Sequence, residues 1–144
     1  MKIHVFLSKL DDPKILQAIQ QAEARSSGEI RVFVSAKKVT DPVAVAKAHF
    51  VRLGMEKTRE RNGVLIYFAP RSRKFAVVGD VGVHALCGDG LWQEVAAAMA
   101  SHLKQEEYTQ ALLAAIERVG GVLASHFPRQ PNDKNELPDA IAGD

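Results

Sequence analysis

The order of periodic segments along the chain predicts an α/β domain with helices on both faces of a mixed sheet. Three observations carry this. Aspartate-proline starts and glycine stops bracket two helical stripes in the first 54 residues. Two polar, glycine-containing turns, Ser26-Ser27-Gly28-Glu29 and Arg61-Asn62-Gly63, each feed an apolar run. Two long helical stripes then fill the second half.

Asp12-Pro13 opens the first helix, because an aspartate side chain accepts from orphan amides and proline costs no hydrogen bond in the first turn. Ile15, Leu16, Ile19 and Ala22 follow at helical spacing, and Ser27-Gly28 predicts the stop through a left-handed glycine. Ile30, Val32 and Val34 alternate with Arg31 and Phe33 as a first strand, covered on both sides because Phe33 also favours burial. Thr40-Asp41-Pro42 repeats the cap-and-proline signal ahead of Ala46, Phe50 and Leu53, with an end at Gly54.

Val64 to Ala69 is continuously apolar, as a central strand buried on both faces would be. Pro70-Arg71-Ser72-Arg73 has the length of a hairpin turn, which returns Lys74 to Val78 as an antiparallel third strand. From Gly79 to Gly90 the glycines favour neither helix nor strand. Asp89 reads as the cap of a helix whose inner stripe is Trp92, Val95, Ala96, Met99 and Leu103. The last helix spans Tyr108 to Phe127, with Leu112, Ala115, Ile116, Val119 and Leu123 inward. Gly120-Gly121 inside it predicts a close neighbour, since each glycine costs roughly 1 kcal/mol against alanine there. Pro128 ends the helix, and the polar stretch through Asn132, Asn135 and Pro138 reads as an extended or poorly ordered arm. The expected organisation is one domain over 1–127 and a polar tail over 128–144.

Composition sets further bounds. With 144 residues and 47% hydrophobic side chains, the chain supports one well-filled core. The net charge of +2 conceals an asymmetry: the stretch 52–74 is basic and the stretch 104–144 acidic. Such a distribution suits electrostatic steering, and equally a solvated face. The single cysteine, Cys87, excludes an intramolecular disulfide and a cysteine-based zinc site. No run reaches the roughly 18 apolar residues of a membrane span, and 1–10 lacks a signal core, so the expectation is a soluble, cytoplasmic chain without direct membrane insertion. The basic residues are interrupted and not interleaved with aromatics, which argues against nucleic acid.

Two strands joined through a helix run parallel and the third returns antiparallel, so Glu29, Asn62 and Asp80 fall at one end of the sheet. With Asp89 on the glycine-rich segment, these oxygens suit a hard cation, calcium or magnesium. Singly, Glu29 and Asp80 also read as turn caps, and Asn62 as a left-handed residue before Gly63. The opposite end carries Ser35, Lys37, Lys38, Thr40, Asp41, Arg71 and Arg73, next to a helix amino terminus that could face an anion such as a phosphoryl group. No phosphate-binding glycine loop accompanies them, so a solvated turn is the competing reading. His49, His84, His102 and His126 share no ligand spacing, Cys87 lacks a partner, and no serine sits in a Gly-x-Ser-x-Gly elbow.

Ser27-Gly28-Glu29-Ile30-Arg31-Val32, the helix at 43–53, Asn62-Gly63-Val64-Leu65 and the strand ending at Gly79-Asp80 together resemble the TPM domain, named for thylakoid, photosystem-repair and nematode members. The resemblance covers about residues 6–127, and Asn135-Glu136-Leu137-Pro138-Asp139 is similar to the tail of small bacterial members. It implies a three-layer α/β/α sandwich with a central mixed sheet. It also implies one of three roles: acid phosphatase, calcium-binding domain, or accessory protein of a membrane complex. Many relatives carry a signal peptide and a transmembrane helix, which this chain does not show.

The leading expectation is therefore a calcium-binding accessory or interaction module with a protein partner, in a membrane-associated complex for example. Its ligands would be Glu29, Asn62, Asp80 and Asp89. The alternatives are metal-assisted phosphomonoester hydrolysis, in which a cation neutralises phosphoryl oxygens and activates water, and a metal-free protein-binding module.

Overall fold

A computed structural model describes residues 10–129 and 141–144. Four helices and four strands are present among them: α1 (Asp12–Glu23), β1 (Glu29–Val34), α2 (Pro42–Arg52), β2 (Gly63–Ala69), β3 (Lys74–Gly79), α3 (Val81–Leu103), α4 (Tyr108–His126) and β4 (Ala142–Gly143). The sheet order is β3-β2-β1-β4. β1 runs parallel to β2, with Glu29 opposite Gly63, and parallel to β4, while β3 is antiparallel to β2. The three-layer sandwich is thus realised.

Strand parity sorts the two cores. Ile30, Val32, Val34, Val64, Ile66 and Phe68 face the layer of α1, α3 and α4. Phe33, Leu65, Tyr67, Ala69 and Ala76 face Ala46 and Phe50 of α2. Every residue of β2 is buried, as expected of a central strand sealed on both faces.

Several local readings are corrected. The cap of α1 is Asp11, whose carboxylate accepts from the Lys14 amide at 3.1 Å, and the helix closes at Glu23 on a right-handed Ala24. Gly28 is therefore not its left-handed stop. A Cβ there would stand 2.7 Å from Leu123 Cδ1, so glycine is required for close packing against α4. At α2 the expectation holds: Asp41 caps through Ala44, and Gly54 takes φ 72° just past the helix. The left-handed residue before Gly63 is Arg61, at φ 52°, not Asn62.

The largest correction concerns 79–90. Helix α3 begins at Val81, capped by Asp80, and Asp89 lies inside it next to a kink at Gly88 (φ 65°, ψ −165°). The piece before the kink, residues 81–87, is too short to show a helical period in the sequence. Trp92 is only partly buried and packs against β3, where a Cβ on Gly79 would meet Trp92 Cη2 at 2.3 Å. In α4 the whole expected inner stripe is buried. Gly120 has the close neighbour its position implied, since its Cβ would lie 2.7 Å from Ala22 Cβ, whereas nothing stands within 4 Å of a Cβ on Gly121.

Asn132, Asn135 and Pro138 of the expected arm lie outside the described residues, as do residues 1–9. Ala142 and Gly143 pair with Phe33 and Val34 at the edge of β1.

Candidate functional site

Parallel register brings the amino ends of β1 and β2 to the carboxyl end of β3. The Glu29 amide donates to the Asn62 carbonyl at 3.4 Å, and the Asp80 amide donates to the Gly63 carbonyl at 2.9 Å. Glu29, Asn62 and Asp80 are all buried, at 2%, 1% and 5% exposure. Three of the four expected ligands are therefore neighbours through the backbone. Asp89 is not brought to them: more than two turns of α3 separate it from Asp80, and its side chain is solvent-exposed, 3.9 Å from His84 Nε2.

The Asp80 carboxylate is already matched by Arg61. Arg61 Nε donates to Asp80 Oδ2 at 2.7 Å and Arg61 Nη2 donates to Asp80 Oδ1 at 2.8 Å. The Val81 amide also donates to Asp80 Oδ1, at 2.8 Å. Such a fork is the strong form of the arginine-carboxylate bond, and it holds the Arg61 guanidinium pKa above its ordinary value. The left-handed Arg61 backbone aims the fork, and its carbonyl accepts from the Gly82 amide at 2.9 Å.

Beside this pair, Asn62 Nδ2 donates to Ser27 Oγ at 3.0 Å and to Glu60 Oε2 at 3.3 Å, while Ser27 Oγ donates to the same Glu60 oxygen. The Asn62 amide is held by Thr58 Oγ1 at 3.2 Å. Asn62 Oδ1 is buried without a hydrogen-bond partner. Taken together, the donor set does not fit a calcium or magnesium ion as it stands. Asp80 has both oxygens committed to a guanidinium, and no group of three or more histidine, cysteine, aspartate or glutamate side chains converges among the described residues.

At the opposite end of β1, Ser35, Lys37, Lys38, His49 and Arg52 line a cleft of about 420 Å³. Of the other residues expected to face an anion here, Asp41 is committed as the α2 cap, and the Thr40 carbonyl accepts from Lys74 Nζ at 2.8 Å. Arg71 Nη1 donates to the Ala36 carbonyl at 3.4 Å, and Arg73 takes the left-handed turn position before β3. The cleft holds an anion from the chain itself, the Asp144 side chain. Burial, and next the charge of Arg52, push the His49 imidazole below its ordinary pKa, and Asp144 opposes this. Burial pushes the Cys87 thiol up, away from the thiolate a nucleophile needs.

Sequence reading missed Arg61, Glu60 and Asp144. A charged residue beside a turn looks alike whether it is solvated or forked onto a buried carboxylate. The Ile-Ala-Gly-Asp stretch is also too short for a periodic signal.

The class of protein follows from the fold: a small α/β/α sandwich with a mixed sheet whose parallel pair starts at Glu29 and Gly63. The chain belongs to the TPM domain family, whose model matches residues 4–122. It is similar to the BA42 protein of the psychrophilic bacterium Bizionia argentinensis, at 35% identity over 92% of each chain, with a TM-score of 0.86. A domain from Corynebacterium glutamicum (23% identity, 83% of this chain and 76% of that one, TM-score 0.61) shares the fold. So does one from P. gingivalis (19%, 81% and 78%, TM-score 0.61). No curated protein matches. Among the described residues, no helix is long and apolar enough to cross a membrane.

Proposed function

We propose that this TPM domain works as an accessory interaction module and not as a metal-dependent hydrolase. The observation that carries this reading is the two-pronged Arg61–Asp80 pair. A metal ligand or an attacking carboxylate needs an open oxygen, and both oxygens of the buried aspartate are spent on tying the loop before β2 to the start of α3. The cluster then acts as a clasp that fixes three strand ends. The surfaces of the sandwich are left to bind a protein partner.

One observation favours a second reading, in which calcium binds at this end: Asn62 Oδ1 is a buried oxygen lacking a donor, next to Glu29. Arg61, whose side chain is about half exposed, would have to leave Asp80.

Thermal melts of metal-stripped protein with and without millimolar calcium or magnesium, run beside a p-nitrophenyl phosphate assay, separate the readings. The interaction module gives an unchanged midpoint and no turnover. A midpoint that rises with calcium, and no longer rises in Glu29→Gln, establishes the second reading. Turnover that disappears in Asp80→Asn establishes a hydrolase.

A further inference from the structure

We infer that the edge of β1, together with the cleft at its carboxyl end, is a receptor for an extended peptide segment ending in an acidic side chain, and that residues 141–144 are its tethered occupant. The inference rests on the reading of the domain as an interaction module.

The contacts have two parts. Along the backbone, Ala142 and Gly143 add a parallel strand opposite Phe33 and Val34, an addition that is indifferent to sequence apart from the room it leaves. A Cβ on Gly143 would approach the Val34 carbonyl at 3.1 Å, so that place favours the smallest residue. At the strand's end the Asp144 carboxylate is read chemically. The Ala36 amide donates to Oδ1 at 2.7 Å and Ser35 Oγ donates to Oδ2 at 2.8 Å, while His49 Nε2 stands 4.0 Å from Oδ2.

This pocket is built, not incidental. Ser35 is fully buried, and its Oγ accepts from the Lys37 amide at 3.2 Å, which directs its proton to the carboxylate. The His49 ring is stacked on Phe33 at 4.1 Å between centroids, with Tyr67 at 5.9 Å, so its position is set by the core beneath. Lys37, Lys38 and Arg52 line the same cleft and give it the sign that attracts an acidic segment. Two residues of strand and one carboxylate are a small hold. A tethered segment of that strength stays docked through its high effective concentration, and a partner segment of the same form can exchange with it.

The test uses the full chain and a labelled, amidated pentapeptide with the sequence of residues 140–144, Ala-Ile-Ala-Gly-Asp, followed by fluorescence anisotropy. In Asp144→Ala the tethered competitor loses its anchor, and the peptide should bind about tenfold more tightly than it binds the unaltered chain. Asp144→Asn should give the same direction. Changing the peptide's own aspartate to asparagine, or adding Ser35→Ala to the Asp144→Ala chain, should remove the gain. Amide spectra of each variant report whether the sandwich is intact. Equal affinity for the unaltered and Asp144→Ala chains, or binding indifferent to the peptide carboxylate, overturns the inference. A calcium-dependent melt or phosphatase turnover would instead strike the interaction-module reading, so the two failures are distinguishable.

Discussion

Arg61 and Asp80 meet through two hydrogen bonds of 2.7 and 2.8 Å, and the pair joins a half-exposed guanidinium to a carboxylate that is 4% exposed. Nineteen residues of sequence separate them, enough to hold all of β2 and β3. The pair therefore closes the hairpin from outside the sheet and caps α3 in the same stroke.

Removing one partner of such a fork costs more than removing both, because the buried aspartate is then left charged and unmatched. Arg61→Ala should lower the melting temperature more than Asp80→Asn does, since asparagine still caps α3. A double-mutant cycle read by thermal melts checks this; equal and additive losses would mean that the pair is not coupled.

The two glycines of α4 should respond in opposite directions. Gly120→Ala drives a methyl into Ala22 and should cost about 1–3 kcal/mol, relieved by adding Ala22→Gly. Gly121→Ala meets open space and should stabilise by about 0.5–1 kcal/mol through helix propensity alone. Chemical denaturation of the three variants tests both.

Gly28→Ala should also destabilise, by about 1–3 kcal/mol, because its Cβ would fall 2.7 Å from the buried Leu123. Leu123→Val in the same chain should recover part of the loss by removing the atoms it meets. No recovery on denaturation would place the cost in the backbone, not in the contact.

His49 gives a pH dependence of definite sign. Its folded pKa is lowered, chiefly by burial, so the unfolded chain binds more protons as pH falls below the usual histidine value of about 6.5. Its contribution is complete above that value and is lost on acidification through the interval down to the folded pKa. His49→Gln should flatten the fall in melting temperature between about pH 7 and pH 5. An unchanged slope would show that other groups govern it.

The fold was legible wherever burial imposes a period. β2 is sealed on both faces and reads as an unbroken apolar run; α4 shows one stripe because one face meets α1, α3 and the sheet. The kinked start of α3 was not legible, since its glycines suggest a loop while Asp80 and its neighbours enforce a helix. At the candidate site, Glu29, Asn62 and Asp80 could be placed together from topology alone. What neutralises Asp80 could not, because Arg61 acts through a fork geometry that leaves no mark on hydropathy. Asp144 was hidden for a related reason: two residues of strand have no pattern to read.

β4 pairs only with Phe33 and Val34, so the amino half of β1 has no strand on that side among the described residues. There the Ile30 amide donates to Glu23 Oε2 at 2.8 Å, which sets a buried carboxylate from α1 against the sheet margin. An incoming strand would have to displace this carboxyl group before it could extend the ladder. The α1 carboxylate thus covers the stretch of the β1 margin that β4 leaves open, and Glu23→Ala would uncover the Ile30 amide there.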